Sequence, residues 1–189
     1  MLNYRMVLIK SISGVRGIIH QNDNEGLSSF EIIQCVKQFS TWILQGEKKS
    51  SSHIKIAIGR DGRISGEKIS NIITPVLLEF GFEVINLGLT TTPSLQLAII
   101  NESCYGGIMI SASHNPENWN GLKLLNLRGE FLSKTEGLEV FNITKYSKPI
   151  INKNERIVKI DYKQNHIESI LNLRDVDVNK IKSQNFKIV

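Results

Sequence analysis

The segment Ser111–Lys123, SASHNPENWNGLK, carries the most reactive side chains in the sequence. It places a hydroxyl beside an imidazole, at Ser113 and His114, and an ammonium group further on, at Lys123. A hydrolase triad does not suit this pattern, because adjacent side chains diverge and no G-x-S-x-G elbow is present. A serine that carries a phosphoryl group suits it better, since the phosphate brings about −1.5 to −2 charges that cationic neighbours can neutralise. The simpler alternatives are a loop histidine bonded to backbone and a solvated strand lysine.

Two other short motifs combine glycine with arginine: SGVRG at Ser13–Gly17 and GRDGR at Gly59–Arg63. Glycine lets a backbone approach a ligand closely, and the guanidinium group matches the geometry of phosphate. Taken singly, the first motif is better explained as a tight turn with an exposed Arg16. The second motif is better explained as an Arg–Asp ion pair that stabilises a turn.

Each of the three motifs follows a run that is typical of a strand. These runs are Val7–Ile12, Lys55–Ile58 and Gly107–Ile110. Ligands of open α/β sheets bind outside the carboxyl ends of the strands. We therefore predict that the three motifs are loops on one rim of one sheet.

Strands alternate with helical patterns along the chain, which predicts an α/β fold with a largely parallel sheet flanked by helices. A hairpin over Leu122–Leu132 indicates that the sheet is mixed. Ser65 is predicted to cap one helix, and Ser133 with Glu136 forms a capping box for another. A last long helix is predicted at Asp161–Leu173, with Ile167, Ile170 and Leu171 facing inward.

The composition is that of a globular protein, with 189 residues, 41% hydrophobic and 22% charged. This excludes a disordered chain, a collagen and a coiled-coil rod. No apolar run reaches the roughly 18 residues of a membrane span, and no secretory signal precedes the first strand, so we expect a cytoplasmic protein without membrane contact. Cys35 and Cys104 have no metal-type spacing and are expected to be reduced core thiols.

The net charge of +5 comes entirely from the C-terminal part of the chain. Residues 1–144 contain 13 basic and 13 acidic side chains, whereas residues 145–189 contain 10 basic and 5 acidic ones. Few aromatic residues accompany this excess, which indicates a solvated surface and no nucleic-acid partner. The oligomeric state is left open by the sequence.

The three motifs together resemble the N-terminal domain of the α-D-phosphohexomutase family, which includes phosphoglucomutase, phosphomannomutase and phosphoglucosamine mutase. The resemblance covers roughly Ile9–Phe141, and the SASHNP…NGLK motif is its most specific part. Two departures are small: Ser11-Ile12 stands where a Gly-Thr pair is frequent, and Gly62 where threonine is frequent. A larger departure is that no DGDGDR-like run occurs in the sequence.

The resemblance implies roles for particular residues. Ser113 matches the serine that is phosphorylated and donates its phosphoryl group to a hexose phosphate, through a hexose 1,6-bisphosphate intermediate. His114 and Lys123 match positions that assist proton transfer or orient the phosphate. Mg²⁺ is implied as cofactor, held by Ser113 through its phosphate and by ligands outside this chain, so we expect the chain alone to bind Mg²⁺ weakly. The implied phosphate-binding residues are Ser13, Arg16 and Asn115, and Arg16 also counts among the catalytic residues.

The resemblance also implies a domain organisation. Residues 1–160 are assigned to the phosphoserine domain, and residues 161–189 to linking helices and the first strand, at Phe186–Val189, of a second domain that is cut off. We therefore expect the chain alone to be incomplete for turnover.

The function that the motif favours is phosphoglucosamine mutase, converting glucosamine 6-phosphate to glucosamine 1-phosphate, because SASHNP resembles that subgroup most. Phosphomannomutase, phosphoglucomutase and a non-catalytic phosphosugar-binding domain are the alternatives. Ser113, rather than Ser111, is predicted to accept the phosphoryl group, because Ser111 still belongs to the strand and Ser113 lies in the loop.

Overall fold

The computed structural model describes residues 8–19, 26–46, 54–148 and 156–187. Seven strands alternate with helices along these ranges. In chain order the elements are β1 (Leu8–Ser11), β2 (Gly14–Ile18), α1 (Ser29–Gly46), β3 (Lys55–Arg60), α2 (Ser65–Glu79), β4 (Glu83–Leu89), α3 (Thr92–Asn101), β5 (Gly106–Ile110), β6 (Trp119–Asn126), α4 (Lys134–Phe141), β7 (Ile157–Lys159), α5 (Lys163–Leu171) and α6 (Val178–Ser183).

The strands form one mixed sheet in the order β1-β2-β6-β5-β3-β4-β7. β5, β3, β4 and β7 pair in parallel, whereas β1, β2, β6 and β5 pair antiparallel in succession. The predicted α/β class with a mixed sheet is confirmed. Three of the six strand pairings are parallel, so the parallel part makes up half of the sheet.

The prediction that Ser13–Gly17 forms a loop after a strand was wrong. Gly14–Ile18 is itself strand β2, and Ile12 and Ser13 form the turn of a hairpin with β1. β2 also pairs with β6, with Arg16 opposite Gly121. The motif therefore reaches the rim as a neighbouring strand, because β6 brings it alongside the loop that follows β5.

The sheet is covered on both faces because its central strands have apolar side chains at successive positions, which point to opposite faces of the sheet. Ile56, Ile58 and Ile108 face one core together with α1, α2 and α4, whereas Ala57 and Met109 face a second core with α3.

Cys35 and Cys104 are buried and unbridged, as predicted. Burial raises the pKa of both thiols to about 12, so neither is suited to nucleophilic chemistry.

The helix starts follow the sequence signals with one exception. Ser133 and Glu136 form the predicted capping box, with both reciprocal hydrogen bonds present. The Ser65 prediction was wrong, because α2 begins at Ser65 itself without a side-chain cap. The Ser65 hydroxyl instead accepts a hydrogen bond of 2.8 Å from the Asn120 amide. Ser65 thus ties α2 to β6.

The end of the described chain packs differently from the prediction. Ile167, Ile170 and Leu171 were expected to face inward, but they are 39%, 45% and 45% exposed. α5 contacts α3 at its first turn, where Nδ1 of His166 lies 2.8 Å from Oγ of Ser94. The strand β7 lies at the edge of the sheet and has only three residues, so this edge offers α5 little surface to pack against.

The predicted strand at Phe186–Val189 is not found at Phe186 and Lys187, and its last two residues lie outside the described ranges. Within those ranges, the structure contains no helix with the length and hydropathy needed to cross a bilayer.

Candidate functional site

The site is built around Gly121 on β6, which has a neighbour on either side. Arg16 of β2 lies opposite Gly121 on one side. On the other side, the Gly121 carbonyl oxygen accepts a hydrogen bond of 2.9 Å from the Ser111 N–H. A Cβ at Gly121 would lie 2.7 Å from the Val15 oxygen and 3.1 Å from the Ser111 oxygen. Only glycine lets these three backbones come so close. The close approach brings the β2 motif and the loop after β5 into one site.

Ser113 has an unusual backbone conformation in that loop. Its φ angle is +55°, a left-handed value that costs a residue with a Cβ on the order of 1–2 kcal/mol. The Asn115 N–H donates to the Ala112 oxygen at 3.1 Å, closing a turn around Ser113. The residue is exposed, whereas Ser111, two residues earlier, is 7% exposed. Strained backbone of this kind is concentrated at functional sites.

Ser111 supports Ser113 directly. Its hydroxyl oxygen accepts a hydrogen bond of 3.0 Å from the Ser113 N–H. Its own backbone is still paired with β6, as the sequence predicted. Ser111 therefore lies at the end of the sheet, and the Ser113 side chain is the first hydroxyl beyond it.

A cleft of about 300 Å³ opens between β2, β6 and this loop. Asn115 is not among the residues that line the cleft, but the other five predicted site residues are. They are Ser13, Arg16, Ser113, His114 and Lys123. Larger cavities lie elsewhere, including one of about 620 Å³ between α2, β4 and β7. The smaller cleft is the better candidate because the hydroxyl, the imidazole and two cationic side chains converge there.

Arg16 is only partly satisfied in this cleft. Its Nη1 donates a weak hydrogen bond of 3.4 Å to Oδ1 of Asn115. Its Nε is buried and has no hydrogen-bond partner among the described residues. A buried donor on a charged group costs free energy when it is unpaired. Because Arg16 lines the cleft, its guanidinium charge would favour an anion bound there.

The other two cationic candidates differ in their surroundings. The Lys123 ammonium lies 5.8 Å from the centroid of the Phe131 ring, within the range of a cation–π contact. His114 is exposed at the mouth of the cleft. The loop-histidine alternative predicted a backbone hydrogen bond, and the described residues offer the His114 ring no such partner.

Arg63 is the residue whose importance the sequence did not reveal. Its Nε lies 3.4 Å from Oδ2 of Asp61, so the predicted Arg–Asp pair exists. The guanidinium also reaches across to the loop of Ser113, where its terminal nitrogens bind backbone oxygens. Its side chain is only 14% exposed. The GRDGR motif signalled two arginines on the rim, but spacing could not tell which one was buried against the neighbouring loop.

The family described as phosphoglucomutase/phosphomannomutase, alpha/beta/alpha domain I, matches residues 9–149 of this sequence. The chain belongs to this family. The matched range contains all three motifs that the sequence analysis singled out.

Relatives with mutase names match this chain, two of them over 93% of its length. A phosphoglucosamine/phosphogalactosamine mutase of Sulfurisphaera tokodaii is 31% identical over 186 residues, covering 93% of this chain and 37% of its own length. A phosphoglucomutase/phosphomannomutase of Thermococcus kodakarensis is 32% identical, covering 93% and 38%. A phosphoglucosamine mutase of Prochlorococcus marinus is 47% identical over 79 residues, covering 42% and 18%. The chain thus spans less than two fifths of the length of these relatives.

Solved structures support the fold. A phosphoglucomutase/phosphomannomutase family protein from Burkholderia thailandensis has a TM-score of 0.65 at 18% identity, covering 87% of this chain and 36% of its own. A protein of Thermus thermophilus has a TM-score of 0.71 at 19% identity, covering 86% and 35%.

The Mg²⁺ that the family resemblance implied would need oxygen ligands. Across residues 8–19, 26–46, 54–148 and 156–187, no group of three His, Cys, Asp or Glu side chains is placed to hold a metal ion. An unmodified serine is a poor ligand for Mg²⁺, which prefers carboxylate and phosphate oxygens in octahedral geometry. The described residues alone do not fit a magnesium site.

Proposed function

We propose that Ser113 accepts and donates a phosphoryl group in a phosphohexomutase reaction on hexose phosphates. The observation that carries the proposal is the left-handed, exposed Ser113, which lines the same cleft as the cationic side chains of Arg16 and Lys123. An exposed hydroxyl held in a fixed backbone position is what a phosphoryl acceptor needs, because phosphoryl transfer depends chiefly on positioning and charge neutralisation.

The proposed cycle keeps the phosphoryl groups in balance. A hydroxyl of the hexose monophosphate attacks the phosphorus on Ser113 and gives its proton to a base. The new O–P bond to the sugar forms, the bond from phosphorus to the serine oxygen breaks, and the released serine oxygen takes up a proton. The resulting hexose 1,6-bisphosphate then reorients in the cleft, so that its other phosphate faces Ser113. The serine hydroxyl then attacks the other phosphate and gives its proton to a base. The bond from that phosphorus to the sugar oxygen breaks, and the released sugar oxygen takes up a proton.

The chain's own residues have distinct parts in this proposal. Arg16 and Asn115 hold phosphate oxygens, with Ser13 at the edge of the cleft. His114 and Lys123 orient the phosphate or move the proton of the sugar hydroxyl. When bound, Mg²⁺ would neutralise charge on the phosphate of Ser113, with its remaining ligands outside the described residues.

Among hexose phosphates, we propose glucosamine phosphate as the preferred substrate. The SASHNP sequence favours this choice, and mutases named for glucosamine occur among the relatives. Phosphoglucomutase and phosphomannomutase activity are the alternatives within the same chemistry.

The test is the mutase activity of the full-length protein that contains these residues, with glucosamine, glucose and mannose phosphates as substrates. Ser113→Ala should remove nearly all turnover with every sugar, and the glucosamine phosphate should give the highest kcat/KM. Sugar phosphate binding without turnover would support a non-catalytic binding domain instead. Full activity of Ser113→Ala would refute the proposed role of this serine.

A further inference from the structure

We propose that Arg63 is a positioning residue for phosphoryl transfer, which holds Ser113 in the backbone conformation that presents its hydroxyl. The inference rests on the proposed function of Ser113. Arg63 is not expected to touch the substrate, because its donors are directed at the protein backbone.

The Arg63 guanidinium binds four points along the loop. Its two terminal nitrogens donate to carbonyl oxygens that lie between Ser113 and Trp119. The acceptors are the oxygens of Pro116 at 2.7 Å and Trp119 at 3.0 Å for Nη1, and of Ser113 at 2.9 Å and Asn115 at 2.7 Å for Nη2.

Asp61 fixes the guanidinium from the other side. Its Oδ2 lies 3.4 Å from Nε of Arg63, and its Oδ1 accepts a hydrogen bond of 3.1 Å from the Arg63 N–H. The Asp61 N–H in turn donates to the Ile110 oxygen at 3.0 Å, at the end of β5. The arginine is therefore anchored to the same strand from which the loop departs.

Ser113 is held at both of its peptide groups. Its N–H donates to Oγ of Ser111 at 3.0 Å, and its C=O accepts from Nη2 of Arg63 at 2.9 Å. A residue other than glycine keeps a left-handed backbone conformation only where several surrounding contacts hold it in place. The two bonds constrain the backbone of Ser113 and leave its hydroxyl out of the network.

A lysine could not replace this arrangement. Its single ammonium nitrogen cannot span carbonyls that a planar fork of two nitrogens reaches together. Arg60, the last residue of β3, offers a matched control in the same motif, since its guanidinium contacts the Asp61 backbone oxygen at 3.4 Å and Glu67 at 3.8 Å. No hydrogen bond from Arg60 to the Ser113 loop is found in the described part of the chain.

The experiment compares Arg63→Lys with Arg60→Lys in the full-length protein that contains these residues. Two quantities test the proposal: steady-state turnover and hydrogen exchange of the Ser111–Trp119 peptide. The thermal midpoint reports whether each variant folds. We expect Arg63→Lys to lower kcat about 100-fold with little change in KM, as small misplacements of reacting groups do. We expect loop exchange at least about tenfold faster, because hydrogen bonds to a charged donor are lost. Arg60→Lys should match the unmodified protein in both.

Equal behaviour of the two variants would overturn the proposal. So would slower turnover of Arg63→Lys without faster exchange of the loop, because that result would indicate direct contact with substrate. If Arg63→Lys fails to fold, Ser111→Ala is the second variant, because it removes the hydrogen bond from the Ser113 N–H to Oγ of Ser111. Ser111→Ala should also show faster exchange of the loop together with a lower kcat, but both changes should be smaller. Absence of phosphoryl transfer in the unmodified protein would refute the proposed function itself, whereas transfer with equal variants refutes only the role of Arg63.

Discussion

Replacing Gly121 by alanine tests whether the close approach of three backbones builds the site. An added Cβ would lie 2.7 Å from the Val15 oxygen, 2.8 Å from Cβ of Arg16 and 3.1 Å from the Ser111 oxygen. None of these atoms is the flexible end of a side chain, so β2 or the end of β5 must move. Overpacking of this kind costs about 1–3 kcal/mol.

For a domain of this size, each kcal/mol lowers the thermal midpoint by about 2–4 °C. We therefore expect Gly121→Ala to unfold about 2–12 °C below the unmodified protein in differential scanning calorimetry. The displacement of β2 should also withdraw Arg16 from Asn115, and so weaken the binding of a sugar phosphate.

Gly62→Ala is the matched control on the same rim. A Cβ at Gly62 would meet no heavy atom within 4 Å. Its thermal midpoint should stay the same or rise slightly, since alanine restricts the unfolded chain more than glycine does. If Gly121→Ala were as stable as Gly62→Ala and bound sugar phosphate equally well, the close packing around β6 would not be what assembles the site.

Three further results are expected. Ser111→Ala should retain much of the turnover, with a loss of about 2- to 12-fold, because it removes one neutral hydrogen bond worth about 0.5–1.5 kcal/mol; inactivity in the same assay would contradict this. Partial burial, the largest single influence, favours a higher pKa for Glu136, but hydrogen bonds from Ser133 and Asn126 and the charge of Arg128 hold the pKa below its usual value. Its stabilising effect is therefore present at neutral pH and lost as the pH falls through that lowered pKa, so Glu136→Gln should lower the thermal midpoint at pH 7 but not in acid; a constant difference across the titration would contradict this. This chain alone should bind Mg²⁺ weakly or not at all in calorimetry; tight binding that Ser113→Ala leaves unchanged would reveal another site.

The order of strands and helices could be predicted because their apolar residues recur with clear periods. The strand at Gly14–Ile18 could not, because two of its five residues are glycines and the pairing that makes it a strand comes from β1 and β6. Its role as a strand depends on neighbours far away in the sequence, which local patterns do not report.

Within the site, the sequence identified the side chains that line the cleft but not those that support them. Ser113, His114 and Lys123 come from one short motif, so their proximity follows from chain connectivity. The contact of Arg63 with the Ser113 oxygen joins residues 50 positions apart. Likewise, the apolar pattern of α5 predicted an inward face, although the helix is held at His166 and leaves Ile170 exposed.

The most direct test of the phosphoryl-transfer mechanism is to locate the phosphoryl group in active full-length protein that contains these residues. The protein is incubated with a hexose 1,6-bisphosphate and Mg²⁺, digested, and its phosphopeptides are sequenced by mass spectrometry. We expect one phosphoryl group, on Ser113, which disappears on exchange with hexose monophosphate and is absent from Ser113→Ala. A label on Ser111, or no label anywhere in the loop between β5 and β6, would contradict the mechanism.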